Sequence, residues 1–338
     1  MMDDLGAKWT DEKIEELEER IIALFEEAYD DVYEKYMAFT KRFERDDAKF
    51  QQQLQDGKIT AATYRDWLRG QVFQRARWKA QLADLAATLT RVNQIAMDII
   101  NEAAPGVFAM NANWASFDIE HEADLNMGFG LYDEDAVKRL LRDEPDLLPP
   151  SRVIIEEDER WNMKAIARQI EAGIVTGEGI EEIAKRLQRV ATMNANQART
   201  HARTAMTGAQ NAGRMESYRR AEEMDIEMER EWIATFDGHT REAHRLLDKK
   251  SRPEGKPFVV TYRYGKRIVT DSIMYPGDPD AHPRMVYNCR CTMRAKLLRY
   301  PDKDAMRRPN LQEYGDALPQ KPIRSMSFME WMEWKKGA

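Results

Sequence analysis

The chain has 338 residues, 33% of them charged and 43% hydrophobic, with a formal net charge of −7. That length allows two domains and a buried core. No run of about 18 apolar residues occurs, which excludes a membrane-spanning helix, and the acidic start Met1–Gly6 lacks the apolar segment of a secretory signal.

The charge is unevenly spread: Met1 to Thr60 carries 17 acids against 9 bases, whereas Arg284 to Arg308 carries eight bases against Asp302 and Asp304. An acidic front excludes a protein that coats nucleic acid along its whole length, while the basic rear offers a possible phosphate contact or an ordinary solvated face. The two cysteines, Cys289 and Cys291, are separated by one residue. They cannot staple distant segments, and a reducing compartment is expected.

In chain order, Ile14, Leu17, Ile21, Phe25, Ala28, Val32, Tyr36 and Phe43 recur at helical steps and predict a long amphipathic helix. The pattern weakens at Gln51-Gln52-Gln53 and breaks at Asp56-Gly57. Thr60 is placed to cap a second helix, whose apolar face runs from Tyr64 to Ile99 and which Pro105-Gly106 is expected to end. The two form a predicted antiparallel hairpin. Asp133 caps a short helix through Leu141, and Pro145 with Pro149-Pro150 marks a linker. Helices resume near Ser151 with Ile154, Trp161, Ile166 and Ile170, continue with Ile180, Ile183 and Leu187, and end in an Ala- and Arg-rich segment from Met193 to Glu223.

After Met224 the character changes. Glu231–Phe236 reads as a strand, His239–Leu247 as a short helix, and 258–263 with 267–270 as a hairpin about Gly265. Val286–Leu297 reads as another strand. The expected fold is mainly α with a small α+β C-terminal module and a long amphipathic N-terminal helical hairpin. The expected division is a helical arm over 1–150, available for partner docking, then helices and a small sheet over 151–300, and a polar basic tail over 301–338. Trp331 and Trp334 in that tail are either core or a docking pair.

The stretch from Gly179 to Thr292 carries an ordered set of features. It begins with Gly179–Leu187, then Ala198-Arg199-Thr200, Ala202-Arg203-Thr204 and Asn211-Ala212-Gly213. Trp232, Asp237, Arg241 and His244 follow, then Phe258, Pro276-Gly277-Asp278 and Asn288-Cys289-Arg290-Cys291. This set resembles the phage Mu F-like minor head, or head-morphogenesis, family. The resemblance marks Arg203, Trp232, Asp237, Arg241, His244, Asn288, Cys289 and Cys291 as family-signature residues. It implies a minor capsid protein of a tailed bacteriophage, present at low copy and acting in head morphogenesis and virion assembly. It further implies association with the portal protein and other head proteins, non-specific contact with double-stranded DNA during packaging or ejection, and a location in the virion head interior or procapsid and, during assembly, in the host cytoplasm. Two positions depart from the family: Ala205 stands where a glutamate often follows the Arg-Thr pair, and Leu247-Asp248-Lys249 replaces a leucine-aspartate-glycine.

Three constellations carry chemistry. His239, His244, Cys289 and Cys291 are suitable ligands for a structural zinc, with two small buried strand cysteines as the plainer reading. Asp237, Arg241 and His244 suit either a general base oriented by a carboxylate or, more simply, a polar cluster pinning the short helix. No nucleophile, phosphate cradle or paired carboxylate accompanies them, so no catalytic residue is assigned and a non-enzyme is expected. Arg290, Arg294, Lys296 and Arg299 are candidate DNA contacts. A zinc-assisted nuclease or hydrolase and a DNA-binding packaging factor are the alternative functions.

Overall fold

A computed structural model describes residues 3–73, 75–149, 152–299 and 321–337. Long helices dominate. Helix α1 spans Leu5–Thr40, α2 Glu44–Gln55, α3 Ala61–Val72 and α4 Arg75–Ala123; α5 (Glu134–Asp143), α6 (Ile155–Thr176), α7 (Ile180–Arg186) and α8 (Gln188–Glu223) follow. The break at Gly57 is real, with φ of 70°, and Thr60 caps α3 by accepting the Thr63 N–H at 3.1 Å. Asp133 caps α5 in the same way, through the Ala136 N–H.

The expected second helix is in fact two, and it does not stop at Pro105. Helix α3 closes on Phe73, which meets Trp78 of α4 edge to face at 5.1 Å. Helix α4 then runs through Pro105 to Ala123. A proline inside a helix costs about 3 kcal/mol. Beyond it, Val107, Phe108, Ala112, Ala115, Phe117 and Ile119 are almost fully buried, at about 1.5–3 kcal/mol for each large side chain. Burial of the following turns outweighs the local penalty.

Two compact units make up the chain, and each draws on both sides of the boundary read at residue 150. One comprises Leu17–Ile99 and Arg152–Arg199. Its core brings together Val32, Tyr36, Tyr64, Leu68, Leu85, Leu89, Ile166, Ile170, Ile183 and Leu187. A buried amide chain crosses it: Asn93 donates to Asn194 (2.6 Å), Asn194 to Asn162 (2.9 Å) and Asn162 to Thr90 (3.1 Å). These bonds tie α4, α6 and α8 in one register, because a slipped pairing would strand polar groups in the core.

The other unit comprises Met1–Glu16, Ile100–Ser151 and Thr200–Ala338. Here α1 runs antiparallel to α4: Thr10 accepts from Asn111 at 2.9 Å, while a Cβ on Gly6 would meet Asn111 and Trp114. The sheet has the order β2-β1-β5, built from β1 (Glu227–Ile233), β2 (Ser251–Pro253) and β5 (Thr292–Arg299), all antiparallel. Strands β3 (Phe258–Tyr264) and β4 (Arg267–Ile273) form the predicted hairpin, with Tyr264 opposite Arg267 and Gly265 at φ 61° in the two-residue turn. The strand expected over 286–297 starts only at Thr292, since Pro283–Val286 forms the short helix α10.

Inward positions of β1 are Met228, Arg230 and Trp232. The Arg230 guanidinium is fully enclosed, pairing with Glu254 and donating to the carbonyls of Met274, Pro253 and Lys256. The C-terminal helix α11 (Phe328–Gly337) buries Trp331, whose indole donates to Glu120 at 2.7 Å. Lys335 pairs with the same carboxylate. Trp331 is therefore core, with Trp334 partly buried beside it; the rest of the expected tail, 301–320, lies outside the described residues.

Asp118 of α4 is pushed up to about 6 from 3.8, first by burial and further by Asp4 and Glu122, with Arg214 and Arg294 opposing. Such an acid holds its proton more tightly folded than unfolded, so it favours the fold below pH 3.8 relative to neutral pH. Stability should fall as pH rises from 3.8 through 6. Asp118→Asn is expected to flatten that slope and to add about 1–2 kcal/mol at neutral pH, read from urea midpoints across a pH series.

Candidate functional site

The signature residues converge on one short segment, 288–293, and on the α8 face that holds it. Arg203 donates to the Asn288 side chain at 3.4 Å, and Thr204 Oγ1 accepts the Asn288 N–H at 2.9 Å. Further along, Thr207 Oγ1 donates to the Cys289 carbonyl (2.6 Å), Asn211 Nδ2 to the Cys291 carbonyl (3.1 Å) and Arg214 Nη1 to the Met293 carbonyl (2.6 Å). The register is geometric. Four helical residues advance about 6 Å and two extended residues about 6.6 Å, so side chains three or four apart meet every second carbonyl. The stripe of Thr204, Thr207, Asn211 and Arg214 was open to sequence reading as polar residues at steps of three and four, but such a stripe reads as solvent-facing.

Asn288 has φ of 55°, a left-handed conformation that asparagine tolerates better than most residues. That explains an asparagine ahead of Cys289. Lys249 has φ of 59° at the place where the family often has glycine. Its backbone is pinned there, with the Lys249 N–H donating to the Trp232 carbonyl at 2.8 Å and Asp248 accepting the Ala234 N–H. Lys249→Gly is expected to stabilise the chain by about 1 kcal/mol, seen as a higher melting temperature.

Asp237 builds a turn and does not orient His244. Its Oδ1 accepts the His239 N–H at 2.7 Å and the Thr240 hydroxyl at 3.1 Å, and its other oxygen pairs with Arg290. Arg241 precedes the short helix α9 (Glu242–Leu247) and donates to the Tyr287 carbonyl. The expected Asp237–His244 contact is thus replaced by two ties from the 237–241 turn to the 287–290 segment, because the neighbouring Arg290 is the closer cation for Asp237.

His244 lies within α9, 2% exposed, with Trp232 packed edge-on against its ring. Its Nδ1 is 3.5 Å from Sγ of both Cys289 and Cys291, and its buried Nε2 has no partner among the described residues. The two thiols are pushed in opposite directions. The hydrogen bond to Cys291 and burial hold Cys289 up, while the bond from Cys289, then His244, draws Cys291 down. Of the four expected zinc ligands, three come together; His239 is exposed on the rim of the same hollow and stays outside the cluster. That hollow is small, with a volume of 20 Å³, room for about one water.

The candidate DNA strip is electrically matched. Across the β1–β5 pair Arg294 faces Glu231, Lys296 faces Glu229 and Arg299 faces Glu227. Arg294 and Glu231 pair at 2.6 Å. Arg290 lies before the strand and pairs with Asp237.

Residues 164–294 match the family described as Phage Mu protein F like protein. The minor head protein GP7 of Bacillus phage SPP1 is 27% identical over 244 residues, 72% of this chain and 73% of that protein. An NAD(+)–arginine ADP-ribosyltransferase, EFV, of Enterococcus faecalis (strain ATCC 700802 / V583) is 28% identical over 133 residues, 38% of this chain but only 24% of the transferase. No solved structure matches. Among the described residues no helix is long and apolar enough to cross a membrane. The signature residues gathered about 288–293 thus lie within the stretch, residues 164–294, that is similar to the phage Mu F-like family, and the chain is similar over most of its length to a phage minor head protein.

Proposed function

We propose that this chain is a low-copy structural component of a tailed-phage head, acting during assembly beside the portal. The observation that carries the reading is the length of the alignment with a minor head protein. It spans 72% of this chain, well beyond residues 164–294, so the likeness extends into the helices outside the signature region. A structural role also suits the signature region, where Thr204, Thr207, Asn211 and Arg241 bond to the backbone of the 287–291 segment and Arg203 to the Asn288 side chain.

The catalytic alternative finds less support, since His244 faces two thiols instead of a carboxylate. Direct DNA contact through Arg294, Lys296 and Arg299 is also weakened, because each cation has a glutamate opposite it. Co-expression with the portal protein of the same phage is expected to give a complex that survives size-exclusion chromatography, and mass spectrometry of purified heads should find the chain at low copy. A chain that elutes alone and is missing from purified heads would overturn the reading.

A further inference from the structure

Two thiols and one imidazole meet in the interior of the β module, each 2% exposed. Thiols bury readily by themselves, but the imidazole beside them is a buried polar group whose Nε2 has no partner among the described residues, and such a group is costly unless something binds it. The two cysteines are free and one residue apart, so a disulfide to a distant strand is not what gathers them. Their spacing is that of a coordination shell. A tetrahedral zinc with bonds of about 2.0–2.1 Å to nitrogen and about 2.3 Å to sulfur has N···S edges of about 3.5–3.6 Å. His244 Nδ1 lies 3.5 Å from each sulfur, and the three donor atoms all lie within 4.8 Å of one another.

We propose that His244 Nδ1, Cys289 Sγ and Cys291 Sγ bind one thiophilic divalent ion, Zn²⁺, as a structural metal site. Two thiolates and an imidazole select a soft or borderline cation over magnesium or calcium. The two thiolates neutralise its charge, which suits a buried location. Backbone donors already point at the sulfurs: the Cys291 N–H reaches Cys289 Sγ at 3.4 Å, and Thr235 donates from its main chain to Cys291. Such bonds to sulfur tune thiolate ligands. The 20 Å³ hollow lined by the same three residues leaves the fourth coordination position to a single water. Bound there, the ion clips α9 to the signature segment across 45 residues of chain, closing a loop whose ordering costs entropy.

The test uses the full chain, purified without chelators or a histidine tag. Elemental analysis is expected to find one zinc per chain, and cobalt exchanged into the site should show thiolate-to-cobalt charge-transfer absorption. Cys289→Ser with Cys291→Ser should lose both signals. Because that variant also disturbs a core, the wild-type chain is stripped with a strong chelator and reloaded: the melting temperature should drop and then recover with Zn²⁺ but not with Mg²⁺. A wild-type chain that is folded without metal, binds no cobalt through sulfur and melts at the same temperature with or without Zn²⁺ would overturn the proposal.

Discussion

Arg214→Met is expected to destabilise the chain by about 3–5 kcal/mol, the cost of breaking a buried ion pair from one side. Arg214 is 1% exposed in its side chain and serves four acceptors. It binds both oxygens of Asp4 (2.8 and 2.6 Å), the Asn111 side chain (3.0 Å) and the Met293 carbonyl (2.6 Å). Against the burial that pushes it up, the guanidinium holds the Asp4 carboxyl below its ordinary range. Methionine fills a similar volume, leaves the Asn111 and Met293 oxygens without the guanidinium, and leaves the Asp4 carboxylate with the Ala7 N–H but no counter-charge. Arg214→Lys should recover only part of the loss, because an ammonium cannot make the forked contact. Asp4→Asn should cost less than Arg214→Met, since Asp4 keeps 34% side-chain exposure and the arginine keeps its carbonyl and amide partners. Urea midpoints of the three variants at one pH establish the order.

Gly277→Ala is the second large effect, at about 2–5 kcal/mol. Two penalties add. Gly277 has φ of 84°, and a Cβ there would lie 2.7 Å from the Cα of Gly208. The left-handed backbone costs an alanine about 1–2 kcal/mol, and forcing apart two backbones costs about 1–3 kcal/mol more. The approach is tight from both chains: a Cβ added to Gly208 would meet Pro149 at 2.6 Å and the Gly277 carbonyl at 3.4 Å. Gly128→Ala serves as the control: φ is 78° but nothing stands within 4 Å, so it should lose only the conformational part. If both variants melt alike, the close approach of the Pro276-Gly277-Asp278 turn to α8 contributes nothing.

The helices were legible because their apolar faces repeat over many turns, and caps such as Thr60 and Asp133 fix their starts locally. Pro105 misled because its local signal is strong while the burial that overrides it lies in residues far away in sequence. The hairpin about Gly265 was readable from its turn, whereas β2 has three residues and gains its identity only by pairing with β1. Strand β1 begins four residues before its expected start, since the outward Glu227 and Glu229 disguise an alternation whose inward members include a buried arginine.

In the site, residue types pointed to the right segment but not to their partners. Of the expected group His239, His244, Cys289 and Cys291, the fold gathers the last three and leaves His239 outside, since the sequence gives residue types but not their distances. Asp237 and His244 were paired by chemical habit, and the fold gives Asp237 to Arg290 instead. The stripe on α8 was hidden, because a helix that binds main-chain carbonyls looks like one that binds water.

The interleaving of the two units sets an order of events during synthesis. Every residue of the unit built from Leu17–Ile99 and Arg152–Arg199 has been polymerised before residue 200 is added. The other unit waits: its first strands of contact, such as Asp4 with Arg214, join residues 210 positions apart. A ribosome delivering the chain from its N-terminus therefore presents one unit complete in sequence while Asp4, whose Thr10 neighbour already has Asn111 to bond, still lacks Arg214. For that interval the start of α1 has its α4 partner Asn111 but leaves the Asp4 carboxylate waiting for the α8 guanidinium.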